Sequence, residues 1–184
     1  MRRRARNRAW VWLSSLALVL PAGAWLEARD DAAREATAVK DVVSAAARAL
    51  ASFPNTRDVQ SVLAYYDPDY TLIEDGEQSS TEGTRELLDD LQAELNRGRR
   101  VNVGCNVSRI KVRVAGPVAW ATYDWALTIR IGGKLRHDEA GLCTAVLVKE
   151  QPGWRFAHEH CSSADDAPEA DEEDDDPLLP LDRA

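Results

Sequence analysis

The sequence lacks the short motifs that mark nucleotide-dependent enzymes and many hydrolases. It contains no phosphate-binding loop, no dinucleotide-binding glycine fingerprint and no nucleophile elbow of the Gly-x-Ser-x-Gly type. Basic residues form no stripe of the kind typical of nucleic-acid binding. We therefore expect neither a cofactor nor a nucleic-acid partner.

The chain also lacks an apolar run long enough for an unforced membrane span, which takes about 20 residues. The basic start MRRRAR is followed by about a dozen mostly apolar residues, AWVWLSSLALVL, and then by Pro21 and small residues up to Ala24. This order is typical of a secretory signal peptide. We expect residues 1–24 to be cleaved and the protein to be periplasmic or secreted, with a membrane contact only if this segment stays uncleaved.

The C-terminal residues 164–184 lack the apolar surface that a packed core requires. Ten of the 31 acidic residues of the chain lie in this segment, ADDAPEADEEDDDPLLPLDRA. Such a composition does not offset the entropy cost of ordering, so we expect a disordered acidic tail. The rest of the chain is then only mildly acidic.

Between these ends the pattern predicts helices first and strands second. Apolar residues at helical spacing predict helices over residues 30–52, 57–66 and 84–96, and DYTLIEDG predicts a short strand before the third helix. After Gly98 four long strands alternate with the turn signals Gly116-Pro117, Gly132-Gly133 and Pro152-Gly153. The fold class is therefore α+β, with a curved antiparallel sheet and the helices packed on one of its faces.

This order of elements, with YYDPDYTLIEDG before a helix at EGTRELL and with the ending GWRFAHEHCS, resembles the nuclear transport factor 2-like superfamily. Within it, residues 30–163 are most similar to SnoaL-like and ketosteroid-isomerase-like bacterial domains, including those akin to a kinase association domain. The resemblance implies a cone-shaped sheet wrapped on the helices, a ligand cavity at the open end and a homodimer formed through the sheet. It implies no single function, because the fold hosts enzymes, binding proteins and assembly modules.

Strand alternation predicts which residues face the core, because alternate side chains point to opposite faces. If each hairpin is regular, one face is apolar and the other mixed. The predicted inner set on the last three strands is Ala121, Tyr123, Trp125, Leu127, Ile129, Leu142, Thr144, Val146, Val148, Trp154, Phe156, His158 and His160. The outer set includes Asp124, Cys143, Glu159 and Cys161, and a single β-bulge would exchange some of these assignments.

On this basis the ligand-binding candidates are Tyr66, Tyr70, Tyr123, Trp125, Thr144, His158 and His160. Three interpretations of the two inward histidines remain open. They can satisfy buried polar groups, orient a ligand or transfer protons as catalytic residues, or bind a metal ion. The metal interpretation lacks a third ligand, so we expect no metal site.

In the isomerase branch that the chain resembles, a carboxylate base works with a tyrosine and a protonated carboxylic acid. Asp124 and Glu159 both fall on the predicted outer face, so no acid is placed in the cavity. Cys143 and Cys161 should lie directly opposite each other, which allows a disulfide after export or two separate thiols, with Cys105 left over.

Two functions follow from these expectations. The first is a non-catalytic exported domain that binds a small hydrophobic or carbonyl-containing ligand, which the missing cavity acid favours. The second is an acid/base enzyme of the isomerase, cyclase or dehydratase type that uses the cavity histidines. An assembly module is a third reading, for which the sequence indicates no partner.

Overall fold

The computed structural model describes residues 22–164, with side chains from residue 30 onward. The predicted signal peptide up to residue 21 and the acidic tail from residue 165 lie outside these residues. The elements are α1 (Ala22–Thr56), α2 (Val59–Leu63), β1 (Tyr66–Glu74), β2 (Glu77–Ser80), α3 (Thr81–Asn96), β3 (Val101–Ala115), β4 (Val118–Ile131), β5 (Lys134–Lys149) and β6 (Trp154–Ser163). Within the part of the chain so described, no helix is long and apolar enough to cross a membrane.

Helix α1 runs four residues beyond the predicted end. Phe53 is fully buried, so its packing holds the last turn together despite the neighbouring Pro54. The helix ends where the Arg57 N–H donates to the Phe53 carbonyl at 2.8 Å and Arg57 adopts a φ of 54°. A left-handed residue at this position is a common helix terminator.

The second helix is shorter than the sequence pattern suggests. Asp58 caps it by accepting from the Ser61 N–H at 3.1 Å, and Tyr66 already belongs to β1. The turn at Asp75-Gly76 then leads into β2, a short strand that the polar composition of residues 77–80 did not reveal.

The sheet has the strand order β2-β1-β6-β5-β4-β3. Strands β3 to β6 form the predicted antiparallel meander, and β1 joins its end in parallel with β6. The sheet is therefore mixed rather than wholly antiparallel, curved and unclosed, and the α+β class is confirmed.

The core lies between the helices and the concave face of the sheet, in two clusters. One packs Val39 and Val43 of α1 against Tyr123, Leu147 and Phe156 of the sheet. The other joins all three helices to the far ends of the strands and contains Phe53, Val62, Leu63, Leu88, Leu91, Val101 and Ile129. The candidate site opens beside the first cluster.

Candidate functional site

Two β-bulges decide which side chains face the core. In the β4–β5 hairpin Ile129 pairs with His137 and Arg130 pairs with Leu135, which leaves Arg136 as the extra residue. In the β5–β6 hairpin Val146 pairs with His158 and Leu147 pairs with Phe156, which leaves Ala157 unpaired. Each bulge adds one residue to one strand and reverses the facing of every residue beyond it.

The prediction that His158 and His160 face the core is wrong for this reason. Phe156 is buried as expected, but beyond Ala157 the order reverses, and His160 is exposed. His158 is half-buried, and its Nδ1 lies 2.8 Å from the Thr71 hydroxyl. The histidines therefore lie on the convex face, away from the cavity.

The bulge at Arg136 overturns the assignments on β5 in the same way. Tyr123 lies opposite Cys143, and Thr122 lies opposite Thr144. Thr144 and Leu142 are thus exposed on the convex face, and Thr144 is not a cavity residue. The inner residues of β5 are instead Cys143, Ala145 and Leu147, all of which are buried.

The same reversal brings Glu159 into the core. Its carboxyl group accepts hydrogen bonds from two phenols, since the Tyr70 hydroxyl donates to Oε2 at 2.6 Å and the Tyr123 hydroxyl donates to Oε1. Tyr70 comes from β1, Tyr123 from β4 and Glu159 from β6, so three strands build this group. The predicted absence of an acid from the cavity is therefore wrong.

Burial dominates the acid–base properties of this group. It raises the pKa of Glu159, while the hydrogen bonds from Tyr123 and Tyr70 and the nearby His158 oppose the rise. Burial, together with the neighbouring Glu159 carboxylate, also raises the pKa of Tyr70 and of Tyr123. Both phenols therefore stay protonated and remain hydrogen-bond donors, and a carboxyl in such surroundings favours its neutral form.

A cavity of about 100 Å³ lies between α1 and the concave face of the sheet. Glu159 and Tyr123 supply polar groups to its wall, and the rest of the wall is mainly apolar or aromatic. The residues of that wall are Val43, Ala46, Ala47, Leu50, Tyr66, Cys105, Val107, Tyr123, Trp125, Cys143, Phe156 and Glu159. A few polar groups in an apolar recess is the usual composition of a small-molecule site.

Aromatic rings form one side of this cavity. Tyr66 stacks on Phe156 with ring centroids 5.5 Å apart and contacts Tyr70 at 4.7 Å. The indole nitrogen of Trp125 is buried and has no hydrogen-bond partner within residues 30–164. This nitrogen is an unsatisfied donor enclosed by protein atoms, so it does not face the open space of the cavity.

Two sulfur atoms lie close to the Glu159 carboxyl group. Cys143 and Cys161 lie opposite each other on β5 and β6 and form a disulfide. Their sulfurs and a Glu159 oxygen come within 4.8 Å of one another, but the disulfide removes both thiolates that a metal ion would need. Cys105 is free, and burial, with a contribution from Glu159, raises its thiol pKa to about 11.

Of the seven predicted ligand-binding residues, the structure places Tyr66, Tyr123 and Trp125 on the cavity wall, with Tyr70 behind Glu159. It places Thr144, His158 and His160 on the other face. Strand alternation through a regular hairpin places Glu159 on the outer face, so alternation alone does not find it. No residue type around Ala157 requires a bulge, so no local signal in the sequence identifies Glu159 as a core residue.

The family comparison agrees with the architecture. The sequence model described as the SnoaL-like domain matches residues 42–166. No curated protein is recognisably similar to this chain in sequence.

Solved structures share the fold at low sequence identity. A nuclear transport factor 2-like protein with a cystatin-like fold from Novosphingobium aromaticivorans has a TM-score of 0.59 at 15% identity, covering 78% of this chain and 90% of that one. The beta subunit of the benzoate 1,2-dioxygenase from Burkholderia mallei has a TM-score of 0.56 at 10% identity, covering 70% and 89%. ActVI-ORFA from Streptomyces coelicolor has a TM-score of 0.52 at 14% identity, covering 70% and 96%.

Proposed function

Because this chain belongs to the SnoaL-like domain family, whose fold often binds small molecules, we propose that its cavity binds a small apolar compound through a carbonyl or hydroxyl oxygen. Glu159 exchanges a proton with that compound. The reaction class is acid/base chemistry next to a carbonyl, with Glu159 in place of the histidines that the sequence suggested.

The observation that carries this proposal is a buried carboxyl group on the wall of an apolar cavity. Glu159 is 9% exposed, and two phenols hold its two oxygens. Replacing a buried polar network by apolar side chains of similar volume is often neutral or stabilising, so stability alone does not explain the group. Titratable residues with pKa values shifted by burial, when they line a cleft, are typical of functional sites.

The hydrogen-bond arrangement allows two protonation states with different chemistry. With Glu159 ionised, both phenols donate to it and it can accept a proton from a bound carbon acid. With Glu159 neutral, it needs fewer donors, and one phenol can turn its hydrogen towards a ligand oxygen. Such a group can remove a proton from one atom and return it to another.

The cavity limits the size of the ligand. An engineered apolar cavity of about 150 Å³ accommodates benzene, and the present cavity is about 100 Å³. The ligand is therefore smaller than benzene, such as a short-chain ketone with one polar oxygen.

A non-catalytic binding domain is the second candidate function, and one observation favours it. Each oxygen of Glu159 already accepts a hydrogen bond from a tyrosine, so the group is satisfied without a ligand. In that case Glu159 and its phenols would bind a ligand oxygen without transferring a proton.

Deuterium exchange distinguishes the two candidates. Acetone and butanone are incubated with the protein in D₂O, and loss of the proton signals next to the carbonyl is followed by NMR. We expect the wild type to accelerate this exchange above buffer, and Glu159→Gln to lower the rate by about 100-fold or more, the usual effect of losing a general acid or base.

The matched control is His160→Ala, which changes an exposed titratable residue next to Glu159 in sequence but on the opposite face. It should exchange the ketone protons as fast as the wild type. If the wild type binds the ketones, as followed by tryptophan fluorescence, but exchanges no protons, the domain is a binding module. If neither binding nor exchange occurs, a small carbonyl compound is the wrong ligand class.

We also propose that the protein is exported and forms a homodimer through the convex face of the sheet. The sequence of residues 1–24 supports export, and Val118, Trp120 and Leu142 expose 39%, 43% and 54% of their surface on the convex face. Light scattering on the wild type and on Leu142→Glu tests the dimer. A dimer that Leu142→Glu converts to a monomer supports it, and a monomeric wild type at about 100 μM contradicts it.

A further inference from the structure

One end of the molecule is strongly basic. The turn after α3, the end of β4 and the start of β5 meet there, because Val101 pairs with Ile131, Ile131 pairs with Lys134, and the Gly132 N–H donates to the Arg100 carbonyl at 2.8 Å. This meeting gathers six exposed cations, called here the basic end: Arg97, Arg99, Arg100, Arg130, Lys134 and Arg136.

Most of this charge is not neutralised locally. Glu94 forms ion pairs with Arg97 and Arg99. Within residues 30–164, the other four cations of the basic end form no ion pair. A concentration of unpaired positive charge on a mildly acidic domain attracts an acidic partner.

A groove of about 560 Å³ adjoins the basic end, between α3 and the neighbouring parts of β4 and β5. Its apolar lining comes from Leu87 and Leu91 of α3 and from Leu127, Ile129 and Ile131 of β4. Arg97 and Arg136 lie at its margin, together with the acidic residues Glu74, Asp90 and Glu94. The groove therefore suits an apolar segment that carries acidic residues on the side of the basic end.

The described chain ends close to this groove. Ser163 pairs with Gly141, and its backbone N–H and hydroxyl donate to Asp75 at 3.0 and 2.6 Å. Glu74, the neighbour of Asp75, lines the groove, and so does His137, four residues before Gly141 on β5. Residues 165–184 therefore leave the domain at the end of β6, where Ala164 lines a separate recess with Gly141, about 13 Å along β5 from His137 in the groove.

The composition of residues 165–184 is complementary to both the basic end and the apolar groove. The segment has ten acidic residues and one arginine, and its large apolar residues are Leu178, Leu179 and Leu181. Thirteen residues separate Ala164 from Leu178. A random coil of that length has an end-to-end distance of about 20 Å and reaches about 40 Å when extended, and both exceed the roughly 13 Å that separates Gly141 from His137 along β5.

We propose that residues 165–184 fold back on their own domain, with the acidic stretch against the basic end and Leu178, Leu179 and Leu181 in the groove between α3 and β4. The attachment places the leucines near the groove at an effective concentration in the millimolar range, so a weak contact suffices. Pro177 and Pro180 flank and interrupt the leucines, which disfavours a helix in this part of the sequence.

Zero-length coupling of lysines to carboxylates tests this proposal in the full chain, with peptide mass spectrometry as the readout. Lys134 lies at the basic end, while Lys40 on α1 and Lys111 on β3 are exposed lysines elsewhere and serve as internal controls. We expect coupling of the tail acids to Lys134 to exceed coupling to either control by about fivefold or more, as the local concentration difference requires.

The matched variant replaces Leu178, Leu179 and Leu181 by serine and leaves every charge in place. It should lower the coupling to Lys134 to the level of the controls. Equal coupling at the three lysines in the wild type overturns the proposal, and so does undiminished Lys134 coupling in the variant, which would indicate charge attraction without docking. The same coupling is carried out on a mixture of ¹⁴N and ¹⁵N protein. Coupled peptide pairs that contain one peptide of each isotope would show that the groove binds the tail of a second copy, which would also overturn the proposal.

Discussion

The Tyr70 hydroxyl donates to a carboxylate oxygen of Glu159 across 2.6 Å, although the two residues are 89 positions apart in the chain. The contact exists because β1 joins the end of the meander in parallel with β6 and places Leu72 beside Glu159. A second phenol, from Tyr123, approaches the other oxygen. Glu159 on β6 therefore accepts one hydrogen bond from the adjacent strand β1 and one from β4, which lies two strands away.

Replacing Glu159 by glutamine should change the pH dependence of stability. Burial raises the pKa of Glu159 in the folded protein. At a pH between the ordinary glutamate pKa and this raised pKa, Glu159 is protonated in the folded state and ionised in the unfolded chain. Stability is then lost as pH rises through this window. Urea denaturation should show that the wild type loses stability relative to Glu159→Gln as pH rises from 4 to 8. A constant difference across this range would contradict the assignment.

Replacing Tyr123 by phenylalanine should destabilise the fold. The change removes the donor to one oxygen of Glu159 and leaves a buried acceptor unsatisfied, which costs about 1–3 kcal/mol. The hydrogen bond from Tyr123 lowers the pKa of Glu159, so its removal should raise that pKa further. Urea denaturation at pH 7 measures the loss. Tyr65→Phe is the matched control, since the Tyr65 hydroxyl makes no hydrogen bond within residues 30–164, and an equal loss in both variants would contradict the prediction.

The Cys143–Cys161 disulfide should contribute about 3 kcal/mol, because it closes a loop of 18 residues in the unfolded chain. The double change of Cys143→Ala and Cys161→Ala should lower the free energy of unfolding by about this amount, and Cys105→Ser should not. In the unfolded, unreduced protein one thiol should react with an alkylating reagent, and three should react after reduction. Three reactive thiols without reduction would show that the bond does not form.

Glu35 should anchor α1 to the β5–β6 hairpin. Its carboxylate accepts from the Trp154 indole N–H at 2.8 Å and from Lys149 at 2.6 Å, and Trp154 is buried. Glu35→Ala leaves that indole N–H without its partner, so Tm should fall by a few degrees. Asp31→Ala on the same helix, whose partner Arg34 is largely exposed, should leave Tm nearly unchanged. Scanning calorimetry measures both Tm values, and an equal Tm for the two variants would contradict this role.

The fold was predictable because each of its main signals is local. Gly132-Gly133 and Pro152-Gly153 mark hairpins at the right positions, and the apolar spacing of α3 marks its buried face. The direct opposition of Cys143 and Cys161 also follows from counting along a hairpin. The parallel addition of β1 and the short strand β2 depend on tertiary packing, and no local pattern indicates them.

The candidate site was not predictable because it depends on two single residues. Arg136 and Ala157 occupy bulges, and neither residue type requires one. Each extra residue exchanges the faces of the strand beyond it, which moves Glu159 inward and moves His158 and His160 outward. A sequence pattern with a period of two cannot detect such a shift, because the residues around Ala157 fit either face.

The central claim is that Glu159 is a buried carboxyl group whose pKa lies above the ordinary glutamate range. Carbon-detected NMR of protein labelled at the glutamate side-chain carboxyl measures it directly, with the resonance identified by its absence from Glu159→Gln. The account predicts that this resonance titrates at a pH above the ordinary glutamate range, because burial raises the pKa of Glu159. Titration within the ordinary range would show that Glu159 is in contact with water and would contradict the account.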